Sequence, residues 1–247
     1  MKRKWIQAAA ALAAAAVAGC AAASTASAIR DYEKGDYESA LAEFQAQSEK
    51  DDAQAIFYVG LMYMNGQGCT RQPMEATRLF QKAAYLGSTD AALALAAAFR
   101  EGLGVKRDYA QALIWEREAA KAGSAQALKN IGDYYYNGWA VKPDVREAAK
   151  WYWRSAAKGD VTGIMALAGL VKAGDDGVKA DPAAAYVLMN AAAKPANGQR
   201  PDRNAAADAR NLSHKLTAAE AERAKSMSLE DAVAALAYLD PEAAEHK

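Results

Sequence analysis

The stretch Leu128-Lys129-Asn130-Ile131-Gly132-Asp133-Tyr134-Tyr135-Tyr136-Asn137-Gly138 is followed, after a five-residue link, by Asp144-Val145-Arg146-Glu147-Ala148-Ala149-Lys150-Trp151-Tyr152. Leu128, Ile131, Gly132 and Tyr135 fall at i, i+3, i+4 and i+7, one apolar stripe of an α-helix. Gly138 ends that helix, because glycine accepts the left-handed cap conformation. Asp144 reads as the N-cap of a second helix, with Glu147 three residues on to complete a capping box. Ala148, Trp151 and Tyr152 supply its apolar face. The stretch is therefore a helical hairpin.

The hairpin recurs with a step of 36 residues. Gly66, Gly102, Gly138 and Gly174 keep that step, as do Gly87, Gly123 and Gly159, and Ala40, Ala76, Ala112 and Ala148. Tyr63, Phe99 and Tyr135 align, and so do Leu79, Trp115 and Trp151. Pro73 and Pro182 stand at first helical positions, and Asp36, Asp108 and Asp181 at caps. A fixed period held by several residue classes marks a solenoid, whose units bury a face only by stacking on neighbours. The expected fold is all-α, a right-handed α-solenoid of stacked antiparallel helix pairs over residues 29–195. The small positions Gly60, Ala96, Gly132 and Ala168 are expected to let the helices of one unit approach closely. Leu79, Trp115 and Trp151 are expected to fill the space between units, which makes Trp151 a core residue.

After Lys194 the period fails. Residues 195–201 form a loop rich in Pro, Gly and Asn. Helices are expected from Asn204 to His214, from the Thr217/Glu220 capping box to about Met227, and from Ser228 with Val233, Leu236 and Leu239 on one face. Residues 196–247 thus read as a helical cap over the open end of the last repeat, with a frayed tail from Asp240 to Lys247.

Composition narrows the function classes. The 247 residues include about a quarter Ala, with 30 basic and 30 acidic side chains. No polybasic footprint points to nucleic acid. Two Cys and two His exclude a zinc cluster or a disulfide-stapled scaffold.

Residues 1–28 read as a leader rather than as fold. Lys2, Arg3 and Lys4 precede an apolar run from Trp5 to Val17, too short to span a bilayer and suited to a secretory signal. Val17-Ala18-Gly19-Cys20 resembles the bacterial lipobox, in which Cys20 is lipidated and becomes the new N-terminus. Ala26-Ser27-Ala28 is the competing site, for ordinary signal peptidase cutting before Ile29. The lipobox is the favoured reading, since a Cys placed directly behind an apolar-small-small triplet is harder to obtain by accident. Ala21 differs from the Asp usual in inner-membrane retention, so the expected location is the outer membrane, facing the periplasm. The alternative is a soluble periplasmic or secreted protein. Either cut leaves 27 basic and 30 acidic residues, a net charge of −3.

The repeat pattern resembles the Sel-one-like repeat, a relative of the tetratricopeptide repeat. It stands as Val59-Gly60-Leu61-Met62-Tyr63-Met64-Asn65-Gly66-Gln67-Gly68-Cys69 in the first full unit. Phe99, Gly102, Gly104, Val105, Asp108, Ala112, Trp115 and Ala119-Ala120-Lys121-Ala122-Gly123 carry it in the second. Ile131-Gly132, Tyr135, Gly138, Val141, Asp144, Ala148, Trp151-Tyr152, Ala156 and Gly159 carry it in the third. The resemblance covers about residues 28 to 195. Cys69 replaces the Val of the other units and reads as a small buried hydrophobe. Some secreted relatives with paired cysteines in each repeat are linked to penicillin binding; those pairs are missing here, so that activity does not carry over. The resemblance implies a binding scaffold that grips a partner protein or peptide on its concave face, as an adaptor or regulator in cell-envelope or exopolysaccharide processes.

No catalytic constellation is visible, and no cofactor or metal is expected. His214 and His246 have no nucleophile at interpretable spacing. Asp175-Asp176 lacks the alternating ligands of a Ca²⁺ loop, and Gly66-Gln67-Gly68 and Gly102-Leu103-Gly104 lack the strand and Lys of a phosphate loop. An envelope hydrolase or peptidoglycan-processing enzyme, the alternative function, would need paired carboxylates in the groove. For partner binding, the positions opposite the buried stripe are Tyr58, Met62 and Asn65 in the first unit and Asn130, Tyr134 and Asn137, with the loop residue Trp139, in the third. Tyr135 reads as the repeat's own core aromatic and Tyr134 as surplus. Tyr58, Met62, Tyr134 and Trp139 are accordingly expected to form a peptide-anchoring strip, since Tyr, Trp and Met are enriched at interfaces. The membrane is expected to be contacted only through a lipid on Cys20.

Overall fold

The computed structural model describes residues 25–174, 177–195 and 197–240. Residues 1–24 with Cys20 among them, Asp175-Asp176, residue 196 and residues 241–247 lie outside them. The fold is all-α, with consecutive helices packed as pairs. A helix over residues 25–34 (α1) precedes α2 (Tyr37–Ser48), α3 (Ala53–Asn65), α4 (Pro73–Tyr85), α5 (Thr89–Glu101) and α6 (Tyr109–Lys121). Then come α7 (Ala125–Asn137), α8 (Val145–Ala157), α9 (Val161–Ala173), α10 (Pro182–Ala193), α11 (Ala205–Ser213), α12 (Ala218–Ser226), α13 (Leu229–Ala235) and a 3₁₀ turn, Ala237–Leu239. Two compact units divide the chain, Met1–Trp115 and Glu116–Lys247, with the boundary inside α6.

The helix boundaries follow the sequence signals. Gly66, Gly102 and Gly138 close α3, α5 and α7 in the left-handed conformation, with φ of 71°, 77° and 72°. Pro73 and Pro182 open α4 and α10. The Asp108 and Asp181 carboxylates accept N–H groups of the first turns of α6 and α10, and Thr217 with Glu220 forms the reciprocal box of α12. Two cap expectations are corrected. Asp36 precedes α2 without a side-chain cap bond. Asp144 accepts Glu147 N–H at 2.9 Å, but Glu147 turns away to accept the Trp151 indole N–H at 2.8 Å.

In the first unit α3 packs between α2 and α4. Ala28, Ala40, Phe44, Ala55 and Met62 are fully buried there, and the Thr25 hydroxyl donates to Asp52 at 2.8 Å. Residues 25–28, read from sequence as part of the leader, are thus helical, and Thr25 and Ala28 are packed. Gly60 lies against the Phe80 ring, where a Cβ would stand 2.8 Å from Cε1, so the small position does bring the helices of a pair together.

In the second unit α7 contacts both α8 and α9, α9 packs on α10, and α10 is covered by α11, α12 and α13. These C-terminal helices all contact α10. They also return to α8: Trp153 Nε1 donates to Val233 O at 2.7 Å, and α13 and the 3₁₀ turn pack on α8. Asp240 is fully buried, ion-paired with Arg154 and 3.8 Å from Lys150. The fraying expected from Asp240 is corrected at that residue.

The large residue of the second helix is also corrected. Leu79, Trp115 and Trp151 are half-buried rather than core. Trp153, two positions on from Trp151, is buried instead, because α13 covers it.

Candidate peptide-binding site

The structure dismantles the expected strip. Tyr134 is fully buried and Met62 likewise, so neither can anchor a ligand. Tyr135, expected in the core, is half-buried, and its hydroxyl accepts from Arg117 Nη2 at 3.3 Å. The reason is that α7 touches helices on two sides, so it buries Ala127 and Tyr134 as well as Leu128, Ile131 and Gly132. Trp139 is half-buried with its ring edge-to-face on Tyr134, at 5.8 Å between centroids. Tyr58 stacks on Phe44 at 4.7 Å and meets Tyr32 and Phe57 edge-on, so it packs α3 against α1 and α2. Burial pushes its phenol upward, with the Asp90 carboxylate adding to the effect. Asn130 is half-buried and donates to Glu116 at 3.0 Å. Only Asn65 and Asn137 are exposed, and their amides donate to Gln67 Oε1 and Asp133 O.

Cys69 is half-buried, and its thiol donates toward the carbonyls of Met62 and Gln67. Burial pushes its pKa up, which fits a packing residue rather than a nucleophile.

Within the second unit the structure instead assembles a cleft that the sequence reading missed. Its volume is about 500 Å³, and its walls are Arg117 and Lys121 of α6, Leu128 and Ile131 of α7, and Trp151 and Arg154 of α8. Two alternating local rules build it. Leu128 and Ile131 project from α7 as the buried stripe and form an apolar floor. Trp151, one turn before Arg154 on α8, is fixed by its bond to Glu147 and by the guanidinium of Arg154, 4.8 Å above its ring. Arg154 is held in turn by Asp240. The signal for this site lay in the repeat: Trp151 keeps the step of Leu79 and Trp115, but the position two residues on, Trp153, is Arg117 one repeat earlier. The Arg in that place is exposed.

A second cleft of about 460 Å³ lies where α8 meets α13, lined by Trp153, Lys158, Leu229, Glu230, Val233 and Ala237. Among the described residues no group of three or more His, Cys, Asp or Glu could hold a metal, and no helix is long and apolar enough to cross a membrane.

The chain matches the Sel1 repeat over residues 53–88, 89–124, 125–160 and 164–194. A search of characterised protein sequences yields no match. Among solved structures it is similar to a Sel1 repeat protein from Oxalobacter formigenes, at 26% identity and a TM-score of 0.61, covering 77% of this chain and 84% of that one. It is also similar to a protective antigen of uropathogenic Escherichia coli strains that displays an SLR fold, at 25% identity and a TM-score of 0.66. That likeness covers 94% of this chain and 51% of the antigen, so the chain spans about half the antigen's length. Sel1 repeats as a class mediate protein–protein interaction. With four tandem units over more than half its length, this chain belongs to the Sel1 repeat family.

Proposed function

We propose that the chain is an exported protein-interaction scaffold of the bacterial envelope that holds a partner protein or peptide in the cleft of α6, α7 and α8. The observation that carries this reading is Trp151: a large aromatic that the packing leaves half-exposed, stacked by Arg154 and set over an apolar floor. Interfaces draw their affinity from such Trp and Arg anchors. Export rests on the leader, with Cys20 as the lipidated N-terminus. Burial of Thr25 and Ala28 supports cutting at Cys20, because a cut before Ile29 would strip both from the core. Against the hydrolase alternative, the cleft presents cations and apolar side chains where glycoside hydrolysis needs two carboxylates. Affinity capture of the tagged chain from intact cells, read by mass spectrometry, tests the reading. The same envelope protein should copurify with wild type and be lost from Trp151→Ala at an unchanged far-UV spectrum. Capture of no specific protein, or full capture by Trp151→Ala, would overturn it.

A further inference from the structure

We infer that the cleft of α6, α7 and α8 recognises a peptide segment in which a carboxylate stands beside an aliphatic side chain. The inference rests on the scaffold reading and names the chemistry of its partner. The cleft is rimmed by three cations, Arg117, Lys121 and Arg154, around the floor of Leu128 and Ile131. Their own partners leave this charge available. Arg117 is exposed, has no carboxylate partner among the described residues, and donates only to the neutral Tyr135 hydroxyl. Lys121 pairs with Glu118 in an exposed i,i+3 contact at 2.7 Å, with side chains 72% and 49% exposed, a pair that solvent and a ligand readily exchange. Arg154 gives its Nε–H to Asp240, and its terminal amino groups have no other acceptor among the described residues. That fork sits on the Trp151 ring, the flat geometry in which Arg binds a carboxylate with two parallel N–H groups.

The acidic groups around the cleft do not cancel this. Glu118 is exposed to solvent in its pair with Lys121, Asp240 is fully buried in its pair with Arg154, and Glu147 is bound to the Trp151 indole N–H. A carboxylate entering between Arg117 and Arg154 would exchange water for two guanidinium forks, while an adjacent Leu or Val side chain would pack on the half-exposed Trp151 above the buried floor. The apolar part fixes position, and the cations set the sign of the accepted charge.

The test uses the full mature chain and three fluorescein-labelled peptides of equal length: Gly-Ser-Glu-Leu-Asp-Leu-Ser, its Gln/Asn counterpart and its Lys/Lys counterpart. Fluorescence anisotropy should show the acidic peptide binding about tenfold or more tighter than the neutral one, a difference of about 1.4 kcal/mol. The preference should shrink as salt rises. Arg117→Glu should cost about tenfold for the acidic peptide and favour the Lys peptide, at an unchanged melting temperature. Arg117→Lys should retain the order of preference. Equal binding of the acidic and neutral peptides, no binding of any of them, or an acidic preference that survives Arg117→Glu would each overturn the inference. Loss of envelope-partner capture in Trp151→Ala alongside any of those results would leave the scaffold reading standing and the carboxylate chemistry refuted.

Discussion

The ring of Tyr152 lies on the backbone of Gly132, so closely that a Cβ added at Gly132 would stand 2.4 Å from Tyr152 Cε1. Tyr152 cannot swing aside, because its hydroxyl donates to Asp133 at 2.8 Å and Asp133 is itself held by Lys129 at 2.7 Å. Gly132→Ala gains up to about 1 kcal/mol of helix propensity but overpacks a fixed contact, at a cost of about 1–3 kcal/mol. A net loss of stability follows. Gly169, inside α9, is exposed and has no atom within 4 Å of an added Cβ. There the same substitution should stabilise by about 0.5–1 kcal/mol. Urea melts of the two variants should shift in opposite directions; a stabilised Gly132→Ala would refute the packing at Gly132, and a destabilised Gly169→Ala the open space at Gly169.

Trp153, not Trp151, is the structural tryptophan of α8. Trp153→Ala removes a buried ring and should cost about 3–5 kcal/mol. Trp153→Phe keeps most of the volume but removes one of two donors to Val233 O, the other being Leu236 N–H at 3.2 Å, a cost of about 1 kcal/mol. Trp151→Ala, at a half-buried position, should cost clearly less than Trp153→Ala. Calorimetric melting temperatures that rank the two alanine variants the other way would contradict this assignment.

The period of 36 made the helix pairs, their glycine caps and the close approach at Gly60 and Gly132 readable from residues alone. The faces were harder. An i, i+3, i+4, i+7 template selects one stripe, whereas a helix between two neighbours buries two. The second stripe was present in the alignment: Ala55, Ala91 and Ala127 share the step of 36, as do Met62, Ala98 and Tyr134, and all six are buried. Both positions are apolar and buried in all three units, and reading them as a second core stripe would have moved Tyr134 from the ligand strip into the core. Trp153 and Asp240 were not accessible in this way. Their burial depends on α13 and the following turn, which lie outside the period and reach α8 from about 80 residues away. The cleft was missed because its Trp was assigned to the core.

Tyr152 gives the fold a high-pH sensitivity. Burial, then the Asp133 carboxylate, raises its pKa above the ordinary 10.0. A raised folded-state value means the contribution is fully present below the unfolded pKa and declines as pH rises past it. Stability should therefore fall above about pH 10 more steeply in wild type than in Tyr152→Phe. Parallel pH–stability curves for the two would show that the phenol is not held as the structure has it.

The anchor is tested by feeding cells a clickable fatty acid. Wild type should take up label in the membrane fraction, and Cys20→Ser should not. An unlabelled wild-type protein whose mature N-terminus is Ile29 would refute lipidation and place the chain free in the periplasm. It would also require a fold that survives without Thr25 and Ala28.

On the scaffold reading, partners should meet the cleft on α6, α7 and α8 and not the positions expected from the sequence, of which Asn65 and Asn137 are the exposed ones. A photo-crosslinking amino acid placed singly at Lys121 or at Asn137 in living cells reads this directly, since both side chains are exposed and neither substitution disturbs the core. Lys121 should give a defined higher-mass partner adduct and Asn137 none. An adduct from Asn137 with none from Lys121 would contradict that reading.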